Sequence, residues 1–359
     1  MKGVVDLGIG EPQFPTPAFI RNAAKRAIDS GKTKYTTNVG TAELRSEIAR
    51  KLHRDNQVDI DPQKEVIVTA GATQAIFVVM NCLLNPGEEV LLPTPLFSAY
   101  KWAAVLAGGV PVEVPTIEDE GFALDFSALA ASCSKRSKVL VLNSPCNPTG
   151  SVFNRREMEK ACSFAEEHKL ILISDEIYEK FLYDGARHFS PASLREFADR
   201  IVTINGFSKT YGMTGWRLGY AAANKDIINA MTRYNMYNAV CATSFVQAAG
   251  AEALRGSLSF FAPLLKEYER KRNLFCDMFR EIGWNFQVPR GAFYIFPKLP
   301  EGSGDSLSFS KNLLREDKVA TVPGSSFGAS GEGHLRISYA LNEREISKAT
   351  RLFKKYAAT

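Results

Sequence analysis

Between about residues 65 and 222, short runs of Val, Ile and Leu alternate with longer stretches of helical pattern. No other feature constrains the fold of this chain as much. The runs lie at 66–69, 90–92, 110–114, 139–142, 170–173, 201–204 and 218–222. Most are continuously apolar, as strands buried on both faces of a sheet must be. Helical patterns at 74–84, 98–106, 125–131 and 155–168 separate most of them. This repeated strand–helix–strand order predicts an α/β fold whose large domain holds a mostly parallel seven-stranded sheet flanked by helices. The last third departs from that order. It predicts one long helix over 259–282, a strand pair around 291–297, a helix over 306–316, strands near Val319 and over 334–339, and a terminal helix from Glu343. That mixture predicts a second, smaller α+β domain, and 359 residues suit about two domains at roughly 100–200 residues each.

Composition narrows the function classes. The chain carries 44 Lys+Arg against 39 Asp+Glu, a net charge of +5, which is small for a nucleic-acid binder of this length. Its densest basic cluster, 266–272, is broken by Glu267 and Glu269 and is expected to be a solvated helix face. No apolar run approaches the roughly 18 residues of a spanning helix, and Asp6 interrupts any secretory pattern, so neither a membrane partner nor export is expected. Six cysteines include no CxxC pair, which fits a reducing cytoplasm.

In open α/β sheets, ligands bind beyond the carboxyl ends of the strands, so the residues after each run are the candidates. After 66–69 comes Gly71-Ala72-Thr73, a glycine at a strand-to-helix turn that offers free N–H groups to an anion or simply starts a helix. After 139–142 comes Asn143-Ser144-Pro145-Cys146-Asn147-Pro148-Thr149-Gly150, a turn that either presents Asn147 to a ligand or is only rigid. After 170–173 come Asp175, which could also be a helix N-cap, and Tyr178, which would share its face. After 201–204 a glycine-rich segment holds Lys209 and Arg217. A lysine at the mouth of a buried sheet loses hydration, which lowers its pKa and favours amine nucleophilicity. An anion turn, an amide, a carboxylate and an amine on one sheet edge suit a phosphorylated heteroaromatic aldehyde, and pyridoxal 5'-phosphate meets each requirement.

The strings Ser144–Gly150, Ser174-Asp175-Glu176-Ile177-Tyr178 and Ser208-Lys209 through Met213-Thr214-Gly215-Trp216-Arg217 resemble the pyridoxal-phosphate-dependent class I aminotransferases of fold type I, most closely archaeal aromatic and aspartate enzymes. Leu7-Gly8-Ile9-Gly10-Glu11-Pro12, Gly291-Ala292-Phe293-Tyr294 and Leu335-Arg336-Ile337-Ser338-Tyr339 extend the likeness over the whole chain. The resemblance implies that Lys209 binds the cofactor aldehyde and shuttles the substrate proton. Asp175 would pair with the ring nitrogen, Asn147 and Tyr178 with the ring hydroxyl, and Phe97 would stack on the ring. Gly71, Ala72, Thr73, Ser208 and Arg217 would hold the phosphate. Arg336, with Gly10 and Asn147, would clamp the substrate α-carboxylate, and Tyr35 would reach the phosphate of a neighbouring subunit. The implied protein is a cytoplasmic homodimer with shared active sites. Each chain would divide into a large domain, 32–253, and a split small domain, 1–31 with 254–359. It would move the amino group of an aspartate or aromatic L-amino acid to 2-oxoglutarate by a ping-pong route, leaving a 2-oxo acid.

The sequence also departs from the family. Gly206 stands three residues before Lys209, where many relatives carry a phosphate-binding Ser. The chain starts close to Gly10, without the helix that usually precedes that segment, and no Arg matches the side-chain clamp of strictly aspartate-specific enzymes. The side-chain pocket is instead expected to involve Ile9, Tyr35, Tyr237, Phe293 or other residues. A β-eliminating C–S lyase and a non-catalytic cofactor-binding regulator share the fold. Gly324-Ser325-Ser326-Phe327-Gly328 matches a hydrolase nucleophile elbow, but only His334 follows it and no central strand precedes it. The remaining histidines, His53, His168 and His188, share no ligand spacing, and no metal site is expected.

Overall fold

The computed structural model describes residues 3–357. The chain opens with β1 (Val5–Asp6), α1 (Ala18–Asp29) and α2 (Ala42–Lys51). There follow β2 (Val66–Thr69), α3 (Ala72–Leu83), β3 (Glu89–Thr94), α4 (Ala99–Leu106), β4 (Val110–Pro115), α5 (Phe126–Ser132) and β5 (Ser137–Asn143). Next come α6 (Arg155–Glu167), β6 (Ile171–Asp175), β7 (Ile201–Gly206) and β8 (Gly219–Ala222). Three helices then run in succession: α7 (Lys225–Asn238), α8 (Ser244–Arg255) and α9 (Phe261–Glu281). The remainder is β9 (Tyr294–Ile295), α10 (Ser306–Asn312), β10 (Val319–Ala320), β11 (Val322–Pro323), β12 (Leu335–Ser338) and α11 (Glu343–Phe353).

Strands β2 to β8 form one seven-stranded sheet in the order β2-β8-β7-β6-β5-β3-β4. It is parallel except for β8, which runs antiparallel to both β2 and β7. Period-two alternation within the strands sends side chains to two cores. On one face Val90, Val139, Val141, Ile173 and Ile204 pack with α3, α4 and α7. On the other, Leu91, Leu140, Leu142 and Leu172 meet α6 residues, while Val66, Val68 and Tyr220 meet α1, α2 and α8 residues. Burying each such side chain stabilises the fold by about 1.5–3 kcal/mol. Local signals fix several helix starts: Asn154 and Glu157 form a capping box on α6, and Thr41 accepts from Leu44 N at α2.

A three-stranded antiparallel sheet, β11-β12-β9, packs with α9 and α11 in a second core that also takes Val5 and Leu7. The first residues divide between the cores: Ile20 and Ala24 of α1 lie with Leu44, Phe207 and Ala249 instead. Where a strand pair was expected around 291–297 there is only β9, whose partner is β12, because that segment supplies a single ladder and an isolated bridge from Gly291 to Leu182. The helix expected over 306–316 ends as α10 at Asn312 and continues as a π-helical turn, Leu313–Asp317, closed by Lys318 in left-handed geometry. The 259–282 helix begins with a 3-10 turn, so α9 proper starts at Phe261. Helices α1, α2, α7 and α8 are additions of the structure; Asn224 caps α7 through its side chain.

Candidate active site

Strand register sets one edge of the large sheet. Asn143 ends β5 opposite Asp175 of β6, and Asp175 pairs with Ile204 of β7. Beyond these ends lies a cavity of about 440 Å³. Its walls include Gly10, Ala72, Thr73, Phe97, Asn147, Asp175, Tyr178, Ser208, Lys209, Arg217 and Arg336, so the structure brings together residues spread over most of the chain.

Asp175 is 3% exposed, and one oxygen accepts from Tyr100 Oη at 2.7 Å while the other accepts from Ile177 N at 3.0 Å. The second bond closes an Asx turn, and residues 177–180 form a turn rather than a helix, so Asp175 is not an N-cap. Burial, aided by Glu176, pushes its pKa up to about 6, against the pull of Tyr100, Ile177 N and Lys209. Lys209 follows β7, and its Nζ donates to Gly10 O at 2.5 Å and lies 5.7 Å from the centre of the Tyr178 ring. Burial first, then the Arg336 and Arg217 charges, bring its pKa down to about 8, with Glu11 and Asp175 opposing.

Arg336 on β12 donates to Gly8 O at 2.5 Å and to Asn147 Oδ1 at 3.1 Å. Its guanidinium lies 4.6 Å from the Tyr294 ring centre and 5.2 Å from that of Phe327, and its buried Nε has no partner among the described residues. Tyr178 and Tyr294 share a hydroxyl–hydroxyl bond of 2.9 Å. Arg217 has a left-handed backbone, φ 51°, and donates to Thr214 O at 2.8 Å. Gly71 sits at φ 90°, a backbone region that favours glycine, and a Cβ there would lie 2.5 Å from Arg217 Nη2, so the guanidinium would have to move. It precedes α3, whose first N–H groups have no acceptor within the helix and therefore face outward. Gly206 is also tight, since a Cβ would sit 3.0 Å from Leu218 O.

Not every expected residue joins this cavity. Tyr35 and Tyr237 are 85% and 87% exposed and stand outside it, whereas Ile9 lines it. Phe293 is fully buried behind Tyr178 and Tyr294. The residues 324–327 form a 3-10 turn after two-residue β11, and His334 bonds to Glu118 rather than to a serine. His188 lies within reach of Glu176 and Glu179, a grouping that spacing did not reveal; the Lys51 ammonium pairs with Glu179 there. Sequence reasoning missed Tyr100, Asn143, Glu11, Thr214 and Tyr294 as cavity residues. A helical offset of three residues from Phe97 could have flagged Tyr100, and position at a strand end could have flagged Asn143.

The model of the family described as aminotransferase class I and II matches residues 2–352. The chain belongs to that family. It is 49% identical to an aspartate aminotransferase of Pyrococcus abyssi over 97% of this chain and 90% of that one. It is 44% identical to aromatic-amino-acid aminotransferase 2 of Thermococcus litoralis, over the same shares. Among solved structures, an aromatic aminotransferase from Pyrococcus horikoshii superposes with a TM-score of 0.96 at 46% identity, covering 99% of this chain and 96% of that chain. This aminotransferase is accordingly an enzyme that depends on pyridoxal phosphate. Its cavity fits that group on its own evidence. A buried carboxylate has no cation among the described residues in its hydrogen-bond shell, as a pyridinium partner requires. A buried amine with lowered pKa lines the same cavity, and a helix N-terminus with an arginine offers the donors a phosphate needs.

Proposed function

We propose that this aminotransferase takes the amino group from an aspartate or aromatic L-amino acid and gives it to 2-oxoglutarate in two half-reactions sharing one site. The observation that carries this reading is the buried Lys209 amine sharing one cavity with Asp175 and Arg336. Pyridoxal phosphate supplies an aldehyde that receives the nitrogen and a ring that accepts the electron pair of the Cα–H bond. Arg336 binds the substrate α-carboxylate through its guanidinium, with Asn147 and Gly8 fixing its plane. Lys209 Nζ, neutral in a useful fraction near pH 8, takes the Cα proton and returns it on the other side of the exchange. Asp175, held as an anion by Tyr100 and Ile177 N, stabilises positive charge at the ring nitrogen. Tyr178 and Asn147 orient the ring hydroxyl, Phe97 covers the ring face, and the Gly71–Thr73 turn with Ser208 and Arg217 anchors the phosphate.

Tyr35, exposed and outside its own cavity, serves the site of a second copy in a homodimer. The chain divides into a large unit, 32–253, and a split small unit, 1–31 with 254–359, a division supported by the separate core around α9, β12 and α11, which Val5 and Leu7 join. The enzyme works in the cytoplasm; no helix among the described residues is long and apolar enough to cross a membrane. The deciding experiment records absorbance changes of the loaded enzyme with single amino acids, then with single 2-oxo acids. Amine-form conversion by aspartate or an aromatic amino acid and reversal by 2-oxoglutarate support the reading; release of pyruvate and a thiol or sulfide from a cysteine conjugate without reversal would overturn it.

A further inference from the structure

Beneath Arg336 lies a small core of its own, Phe122, Phe296 and Phe327, separate from the main cores. His334 completes it: the imidazole stacks on Phe296 at 4.8 Å with the planes 2° apart, and Phe122 meets both rings edge-on, at 6.4 Å and 6.1 Å. Phe296 in turn meets the edge of Phe327 at 6.0 Å, and Phe327 carries the Arg336 guanidinium. The bed therefore runs His334, Phe296, Phe327, Arg336 without a gap.

Half of its fastening comes from elsewhere in the fold. The loop after β4 folds back through the bridge Ile117–Ala123 and delivers both Glu118 and Phe122. Glu118 Oε1 lies 3.0 Å from His334 Nε2, and His334 Nδ1 lies 3.2 Å from Glu332 O. Phe122 holds a left-handed backbone, φ 62°, directly after Gly121 at φ 73°. A bulky residue in that region is strained, and the strain persists only where the surroundings over-determine it. Here the 4%-exposed ring, locked between His334 and Phe296, supplies that constraint. Nothing in the chemistry assigned to the cavity needs this loop.

We propose that His334 and the 117–123 loop form a clasp that positions Arg336, setting how tightly the enzyme holds the α-carboxylate of every substrate. This rests on the reading of Arg336 as the α-carboxylate clamp. His334 and Phe122 are positioning residues, because they act through the aromatic bed and touch neither substrate nor cofactor.

The test uses the cofactor-loaded enzyme. His334→Gln keeps a donor toward Glu118 but removes the ring, and Phe122→Ala removes the loop's ring. Each is expected to raise KM for the amino donor and the 2-oxo acid by the same factor, roughly five- to twenty-fold, with kcat held within about twofold. Calorimetric affinity for 3-phenylpropionate falls in parallel, while that for its methyl ester does not change. His334→Phe restores a ring on Phe296 and recovers most of the loss. Unchanged KM in both ring-removing variants, equal losses for acid and ester, or no recovery with Phe would overturn the clasp. Arg336→Lys separates the two readings. If it leaves KM intact, the clamp assignment itself fails; if it raises KM while the ring variants do not, only the clasp fails.

Discussion

Tyr100 Oη donates a 2.7 Å hydrogen bond to the Asp175 carboxylate, and both groups are buried. The bond joins α4 to the end of β6 and opposes the burial that raises Asp175 to about 6. Removing it as Tyr100→Phe leaves a buried carboxylate with one donor fewer, a change worth about 1.5–3 kcal/mol for a charged acceptor before relaxation. The expected outcome is a roughly tenfold weaker affinity for pyridoxal phosphate, read by fluorescence titration of cofactor-free protein. An affinity equal to the parent's would show that Tyr100 only packs.

Asp175 itself is expected to cost stability when no cofactor is bound. Its pKa is raised from 3.8 unfolded to about 6 folded, so between those values the folded state binds more protons. Stability therefore falls as pH rises from about 4 to about 6, and the penalty, of order 3 kcal/mol, persists above that range. Cofactor-free Asp175→Asn should melt higher than the parent at pH 7.5, with the difference shrinking as pH drops toward 4. Activity should be lost in the same variant. A parent that is more stable than Asp175→Asn at pH 7.5 would contradict the burial argument.

Lys209 titrates in the opposite sense. Its folded pKa of about 8 lies below the unfolded 10.5, so the unfolded chain binds more protons between them. Cofactor-free protein should gain stability from this group as pH rises from about 8 to 10.5, and Lys209→Met should abolish that gain. Urea unfolding at pH 7.5, 8.5 and 9.5 measures it; the same pH slope in parent and variant would sink the prediction.

Gly71→Ala tests the phosphate end. The new Cβ meets Arg217 Nη2 at 2.5 Å and the backbone must keep φ 90°, so about 1 kcal/mol of stability is lost and the guanidinium is displaced. Competition between inorganic phosphate and cofactor should weaken in this variant by more than tenfold, whereas Arg336→Lys leaves it unchanged.

Tyr35 can be tested by mixing chains. If it serves the neighbour's site, a hybrid of Tyr35→Phe and Lys209→Ala subunits contains one site with both residues intact. Activity should then return to about a quarter of the parent's in an equimolar mixture under free exchange, because half the dimers are hybrids with one intact site each. No recovery on mixing would place Tyr35 in its own site or in none.

Much of the site was written locally. Strand ends, the Asn147 turn, the glycine before α3 and the lysine after β7 are set by alternation, apolar continuity and turn chemistry, all of which operate within a few residues. These signals carried the parallel sheet, with its seven strands, and the residues at its edge. They were weak where elements are short or end irregularly: two-residue β9 has no periodicity to read, and the π-helical end of α10 looks like continued helix in sequence. Only the fold decided which distant groups became partners. Arg336 meets Gly8 across 328 positions, Tyr100 meets Asp175 across 75, and His334 reaches Glu118 across 216. A hydrogen-bond partner is chosen by position in three dimensions, and the pattern of one segment holds no information about the register at which another will arrive. The sequence thus determined the sheet and the chemistry available at its edge; tertiary packing decided the raised pKa of Asp175, the lowered pKa of Lys209 and the bed on which Arg336 lies, because burial and neighbours exist only once the chain has closed.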